Sequence, residues 1–276
     1  QPVAASPDRG RGGRVVVAYK GGSPDIESSW NRVEEYTRQL RDQFGVKIVD
    51  STPETLAKGM QRIEDNYAIS VKRGSLKQDE MDRRLPRIQP VESLAAIADC
   101  DVVIEAVYEE MPVKKEVFAK LDAIMKPSAL IFTNSSALDV DELAATTKRP
   151  AQVAGAHFFS PANVMKLLEV VVGEKSAPQT VAAAMKLGRS IGKIAVYAGN
   201  CDGFVANRSR APFNTEMILM AEEGAQPEEI DKVMVDFGYP MGPFAVGDLA
   251  GLVQLPQLDG HAGHAHVARD ARVVAV

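Results

Sequence analysis

Long apolar runs are missing from this chain of 276 residues. No stretch is apolar enough to span a bilayer, and the Arg/Gly-rich start lacks the apolar region of a signal peptide. The expectation is therefore a soluble, cytoplasmic chain without a membrane partner, and the final Val274-Ala275-Val276 is not a peroxisomal address. Cysteine is scarce: Cys100 and Cys201 stand far apart, in neither a metal nor a redox spacing, and read as two reduced thiols rather than a disulfide. A dominant charge is lacking too. With 32 Lys and Arg against 37 Asp and Glu, the net charge of -5 gives no support for nucleic-acid binding, although a local basic patch could still hold the phosphates of a small ligand without changing the total. What is present is ordinary for a globular protein, 45% hydrophobic and 25% charged residues, which excludes a largely disordered chain.

From Arg14 onward, short apolar runs alternate with amphipathic stretches, the pattern of strands linked by helices around a mostly parallel sheet. The strand candidates are Val15-Val16-Val17-Ala18-Tyr19, Val46-Lys47-Ile48-Val49-Asp50, Val102-Val103-Ile104-Glu105, Leu130-Ile131-Phe132-Thr133, Val153-Ala154-Gly155 and Ala195-Val196-Tyr197. Between the first two, Ile26, Trp30, Val33, Tyr36 and Leu40 recur at helical spacing. Ser51-Thr52-Pro53-Glu54 reads as a serine cap with glutamate three residues on, opening a helix with the face Leu56, Met60, Ile63 and Tyr67 that ends near Gly74. A polar helix follows around residues 79–84. Past Asn200 the strand signals stop, and helical stretches appear at residues 204–223 and 227–237.

The expected architecture is α/β: a Rossmann-like, mostly parallel sheet with flanking helices over residues 14–200, a smaller, truncated all-α domain over 201–252, and an irregular tail over 253–276. His261, His264 and His266 in that tail have no acidic or cysteine partner at a recognised spacing, so no metal site is expected. One loop departs from the pattern. A dinucleotide-binding unit needs glycines between its first strand and helix, yet Gly10, Gly12 and Gly13 precede the strand, while Lys20-Gly21-Gly22-Ser23-Pro24-Asp25 reads either as an ordinary turn or as one whose two glycines and Lys20 admit a phosphate despite Asp25. Asp50 at the end of the second strand can accept ribose hydroxyls, or serve as a strand-end cap.

Four polar residues in order suggest proton transfer: Ser136 in Asn134-Ser135-Ser136, His157 in Gly155-Ala156-His157-Phe158-Phe159, Glu169 in Lys166-Leu167-Leu168-Glu169-Val170, and Asn207 in Gly203-Phe204-Val205-Ala206-Asn207-Arg208. His157 is the only histidine before the tail, and an imidazole oriented by a carboxylate takes a proton at neutral pH. A single histidine after a strand is more often structural; the set of four points to alcohol oxidation or its reverse.

These segments, with Ile104-Glu105-Ala106-Val107, Tyr239-Pro240-Met241-Gly242-Pro243-Phe244 and Gly247-Asp248-Leu249-Ala250-Gly251, resemble the 3-hydroxyacyl-CoA dehydrogenase family, especially the dehydrogenase part of multifunctional fatty-acid β-oxidation enzymes. The resemblance runs over residues 45–252. It implies NAD as cofactor, with Asp50 on the adenosine ribose and Ala106, Glu109 and Lys114 bordering the nicotinamide ribose. It also implies an acyl-CoA substrate, His157 as base, Glu169 orienting it, and Ser136 and Asn207 holding the substrate oxygen. Lys72 and Arg73, on the helical excursion that helps hold CoA in the family, read either as phosphate contacts or as a solvated face. Ser160 stands where many relatives have asparagine. The helical domain carries the dimer contact in the family, which makes a homodimer the expected assembly. Two alternatives stay open: an acyl-CoA-binding module without a working nucleotide loop, and a dehydrogenase of small 3-hydroxy acids.

Overall fold

The computed structural model describes residues 14–18, 45–159, 162 and 165–250. The 20–25 turn, the helix expected over 26–40, Ser160 and the tail with its three histidines lie outside them. Eight strands form one sheet: β1 (Arg14–Ala18), β2 (Gly45–Val49), β3 (Ile88–Pro90), β4 (Val102–Glu105), β5 (Leu130–Thr133), β6 (Val153–Phe158), β7 (Leu167–Val172) and β8 (Ile194–Gly199). Their order is β3-β2-β1-β4-β5-β6-β7-β8. Every neighbouring pair is parallel except β6 and β7. The order reverses between β1 and β4, which creates a crevice at the carboxyl ends of these two strands, the place where open α/β sheets bind ligands.

The six expected strands are all present with small changes of length; β3 and β7 were not on that list. β3 is only three residues long and ends on Pro90, a residue an edge strand tolerates because it has no N–H to contribute. β7, Leu-Leu-Glu-Val-Val-Val, is almost wholly buried, so it shows an apolar run rather than an alternation.

Two core clusters lie on the two faces of the sheet, as the alternation of neighbouring strand residues requires. Val46, Ile48, Ile104 and Phe132 belong to one, with Leu56, Ile63 and Tyr67 of helix α1 (Pro53–Lys72) packed against them. Val49, Val103 and Ile131 belong to the other, covered by Val117, Phe118 and Leu121 of α3 (Met111–Ile124) and by Val140 and Leu143 of α4 (Val140–Ala144). α2 (Gln78–Arg84) follows α1 in the chain and buries no residue, and α5 (Pro178–Ser190) joins the first face through Ala184.

The cap of α1 corrects the sequence reading by one position. Thr52, not Ser51, is the N-cap; its Oγ1 accepts from the Thr55 N–H at 3.2 Å, and Thr55 Oγ1 accepts from the Thr52 N–H at 3.3 Å. Pro53 explains the shift, because its fixed φ suits the first helical position and therefore makes the preceding residue the cap. Ser51 instead bonds to Asp50. The helix ends at Lys72 with Arg73 as its C-cap, just before Gly74, whose φ of +70° is left-handed. Lys72 and Arg73 are exposed.

The chain divides into two compact units between Phe204 and Val205. The described part of the second unit is helical: α6 (Ala206–Glu222), α7 (Pro227–Phe237) and α8 (Pro243–Ala250). Asp231 of α7 caps α8, accepting from the N–H groups of Phe244 at 2.8 Å and Ala245 at 2.9 Å. A Cβ on Gly242 would stand 2.2 Å from the Asp231 carboxyl carbon, so the turn before α8 needs glycine there. Among the described residues no helix is long and apolar enough to cross a membrane. Cys100 and Cys201 are both free thiols.

Candidate active site

His157 is the fifth residue of β6 and Glu169 the third of β7, and the antiparallel register places them opposite one another. His157 Nδ1 and Glu169 Oε2 are 2.7 Å apart. The imidazole is 6% exposed and the carboxylate 0%, so the contact is shielded from water. An ionised carboxylate can only accept, so it selects the tautomer with the proton on Nδ1 and leaves the Nε2 lone pair as the base. Such close pairing of two strands has a steric requirement. A Cβ on Gly155 would stand 2.6 Å from Val171 Cβ, directly across the ladder, so glycine permits the approach.

Two aromatic rings hold the imidazole: Phe159 with its centroid at 4.4 Å and Phe204 at 5.8 Å. Phe204 is buried at 1% exposure, yet its φ is +49°, following Gly203 at +66°. A left-handed backbone on a bulky residue costs of order 1–3 kcal/mol and persists only where surrounding packing enforces it. Its N–H donates to Cys201 O at 3.0 Å, which closes the turn.

A second polar group lies beyond β4 and β5. Glu105, the last residue of β4, is fully buried and accepts from Val107 N at 2.6 Å, Lys114 Nζ at 2.8 Å and Thr133 Oγ1 at 2.8 Å. Lys114, in the first turns of α3, also lies 3.3 Å from Glu109 Oε2. Glu109 Oε1 in turn accepts from Ser135 Oγ at 2.5 Å, Ser136 N at 2.7 Å and Ser136 Oγ at 3.2 Å. Burial opposes ionisation of Glu109, but Lys114 and the serine hydrogen bonds outweigh it and hold the carboxyl below the usual carboxylate range. Burial likewise opposes charge on Lys114, and Glu105 followed by Glu109 raises it above the usual lysine range. Asn134 ties this group to the histidine strand, its Oδ1 accepting from Phe158 N at 2.9 Å.

The residues picked from sequence thus fall into four places. His157 and Glu169 form one pair; Ser136, Glu109 and Lys114 share one network, with Ala106 buried at its start. Asp50 follows β2 on the other side of the switch point, 7% exposed, with Oδ1 accepting from Ser51 N at 2.5 Å. Asn207 belongs to the second unit, in the first turn of α6. Glu105, Thr133, Asn134 and Phe204 were assigned no role from sequence. Glu105 stands in the Ile104-Glu105-Ala106-Val107 segment that carries the resemblance, but a carboxylate ending an apolar strand is equally a solvent-facing strand end.

The described residues suit a dinucleotide. Asp50 offers an acceptor for a ribose diol at the end of β2, and an acidic residue there disfavours a 2′-phosphate; Ala106 and Glu109 follow β4 across the switch point. Among the described residues no group of His, Cys, Asp and Glu is arranged to hold a metal ion.

A Rossmann-type sheet with a buried His–Glu pair near the carboxyl end of its sixth strand, followed by a helical unit, defines a nicotinamide-dependent dehydrogenase class. The chain belongs to the 3-hydroxyacyl-CoA dehydrogenase family: residues 37–201 match its NAD-binding domain and residues 203–260 its C-terminal domain. The human peroxisomal bifunctional enzyme is 53% identical over 167 residues, covering 60% of this chain and 23% of that protein. A probable 3-hydroxybutyryl-CoA dehydrogenase of Bacillus subtilis is 38% identical over 211 residues, 76% of this chain and 74% of the relative. Crystallised FadB2 of M. tuberculosis superposes with a TM-score of 0.78 at 31% identity, covering 88% of this chain and 84% of that one. The chain spans about a quarter of the length of the peroxisomal bifunctional relatives that it matches.

Proposed function

We propose that the chain oxidises L-3-hydroxyacyl-CoA to 3-oxoacyl-CoA, and runs the reverse reduction, with NAD as cofactor and fatty-acid β-oxidation as its setting. The observation that carries this reading is the buried 2.7 Å contact between His157, near the carboxyl end of β6, and Glu169 of β7. His157 Nε2 removes the proton of the 3-hydroxyl, and Glu169 stabilises the imidazolium that forms. NAD, when bound, accepts the hydride from the carbinol carbon. Ser136 and Asn207 hydrogen-bond the substrate oxygen. Asp50 receives the adenosine ribose, while Ala106, Glu109 and Lys114 border the nicotinamide ribose.

Phe159 and Phe204 pack beside the imidazole and limit rotation of the ring. The boundaries proposed for the chain are a nucleotide domain over 14–200, a partial helical domain over 201–252 and a tail over 253–276. A homodimer formed through the helical domain is part of the same proposal; Val233 and Phe237 of α7 are exposed at 63% and 81%.

The test is fluorescence titration of the purified chain with NADH, then with acetoacetyl-CoA while NADH absorbance is followed. Binding with turnover supports the reading. CoA binding without NADH binding would replace it with the acyl-CoA-binding module, and turnover of free 3-oxo acids but not of CoA esters would replace the substrate class.

A further inference from the structure

We infer that Glu105 is a positioning residue that fixes Ser136 through Lys114 and Glu109; this rests on the reading above, in which Ser136 holds the substrate oxygen. The contacts are continuous. Thr133 Oγ1 and Val107 N lock the Glu105 carboxylate, and Glu105 Oε1 holds the Lys114 ammonium at 2.8 Å. Lys114 faces Glu109 Oε2 at 3.3 Å. The other oxygen of Glu109 gathers Ser135 Oγ, both donors of Ser136 and, at 3.3 Å, the Ala137 N–H. The path begins at a residue with no exposure and ends at Ser136, which is half-buried.

Stability alone explains this arrangement poorly. Buried ion pairs are often no better than apolar residues of similar volume, so two carboxylates on one inaccessible ammonium point to a geometric demand. That demand is visible at Glu109. Lys114 sits between two anions; with Glu105 in place it is drawn inward, and Glu109 keeps Oε1 for the serine loop. Without the Glu105 charge, Lys114 moves onto Glu109 and pulls its carboxylate from Ser136. The Ser136 N–H stays on Glu109 Oε1 at 2.7 Å and fixes the residue, while its hydroxyl, held there only at 3.2 Å, can turn to donate to the substrate oxygen, whose own proton goes to His157.

Glu105→Gln keeps the shape and removes the charge. The expected result is a shift of the Ser136 and Ala137 amide resonances in ¹H–¹⁵N spectra, and a fall in kcat of about tenfold. In a Ser136→Ala background the same substitution should lower kcat by less than about twofold, since residues in one network are not additive. Glu105→Asp, which restores the charge, should recover part of the loss. Unmoved Ser136 and Ala137 amides, or additive losses in kcat, would overturn the inference. If the wild-type chain binds acetoacetyl-CoA and NADH without turnover while these amides still move, the positioning link stands and the assigned reaction falls. Should Glu105→Gln fail to fold, Thr133→Val removes one donor from Glu105 with the charge intact, and the same amide shifts decide.

Discussion

Replacing Glu169 with glutamine isolates the charge of the acid–base pair. The amide keeps the length and an oxygen acceptor for the His157 Nδ1–H, so the tautomer can survive while the anion is lost. Two unit charges about 4 Å apart at an effective dielectric near 20 interact by about 4 kcal/mol. That effective dielectric is reasonable for a contact whose partners are 6% and 0% exposed. The retained neutral hydrogen bond offsets about 1 kcal/mol, and some relaxation of the strand pair offsets more. At roughly 1.4 kcal/mol per factor of ten, kcat should fall about 10²-fold. The fold should tolerate the change, because a buried carboxylate also loses its desolvation penalty. The assay is initial-rate oxidation of NADH with acetoacetyl-CoA, alongside NADH affinity and thermal unfolding. A kcat within about threefold of wild type in a folded, NADH-binding variant would refute the role given to Glu169.

Other perturbations have separate signatures. Ser136→Ala should reduce kcat by roughly tenfold, less than loss of the base, because water can partly replace one hydroxyl toward the substrate oxygen; initial rates against acetoacetyl-CoA check it. Gly155→Ala forces a methyl to within 2.6 Å of Val171 Cβ; it should destabilise by about 1–3 kcal/mol in urea unfolding and lower kcat as the His157 strand shifts. Arg149→Met should cost about 2–3 kcal/mol, because Arg149 Nε bonds Asp122 Oδ1 at 2.7 Å and its other nitrogens reach the carbonyls of Asp122, Met125 and Lys126. Burial raises the Asp122 pKa, but the Arg149 hydrogen bond, the Lys148 N–H and the charges of Arg149 and Lys148 together outweigh it, so its folded value lies below its unfolded one. The stabilisation is therefore complete above the ordinary carboxylate range and lost as pH falls through the folded value. Wild type and Arg149→Met should accordingly differ most in melting temperature near neutrality, and the gap should narrow without closing under acid conditions, where the Arg149 bonds to the three carbonyls persist.

The fold was legible where periodicity is local. The Leu56, Ile63 and Tyr67 stripe becomes the buried face of α1, and Val103 beside Ile104 marks a strand buried on both sides. The strand β7 left a weaker mark, because a continuous apolar run does not tell strand from buried helix. Its reversal relative to β6, which puts Glu169 opposite His157, is a tertiary fact with no local signature. Lys114 illustrates the opposite limit. Lysine is normally solvated, and only the convergence of Glu105 and Glu109, each on a different segment, makes full burial affordable. Phe204 hides a left-handed backbone that composition would assign to glycine or asparagine, and the enforcing contacts, Cys201 and the imidazole of His157, are set by the fold.

The most direct test of the account compares His157→Ala with the wild type in acetoacetyl-CoA-dependent oxidation of NADH, with NADH affinity measured on both proteins. The account predicts turnover by the wild type, and in the variant a loss of about 10²- to 10⁴-fold in kcat with NADH binding retained. Equal turnover by the two proteins, or a wild type that binds both ligands and transfers no hydride, would contradict it.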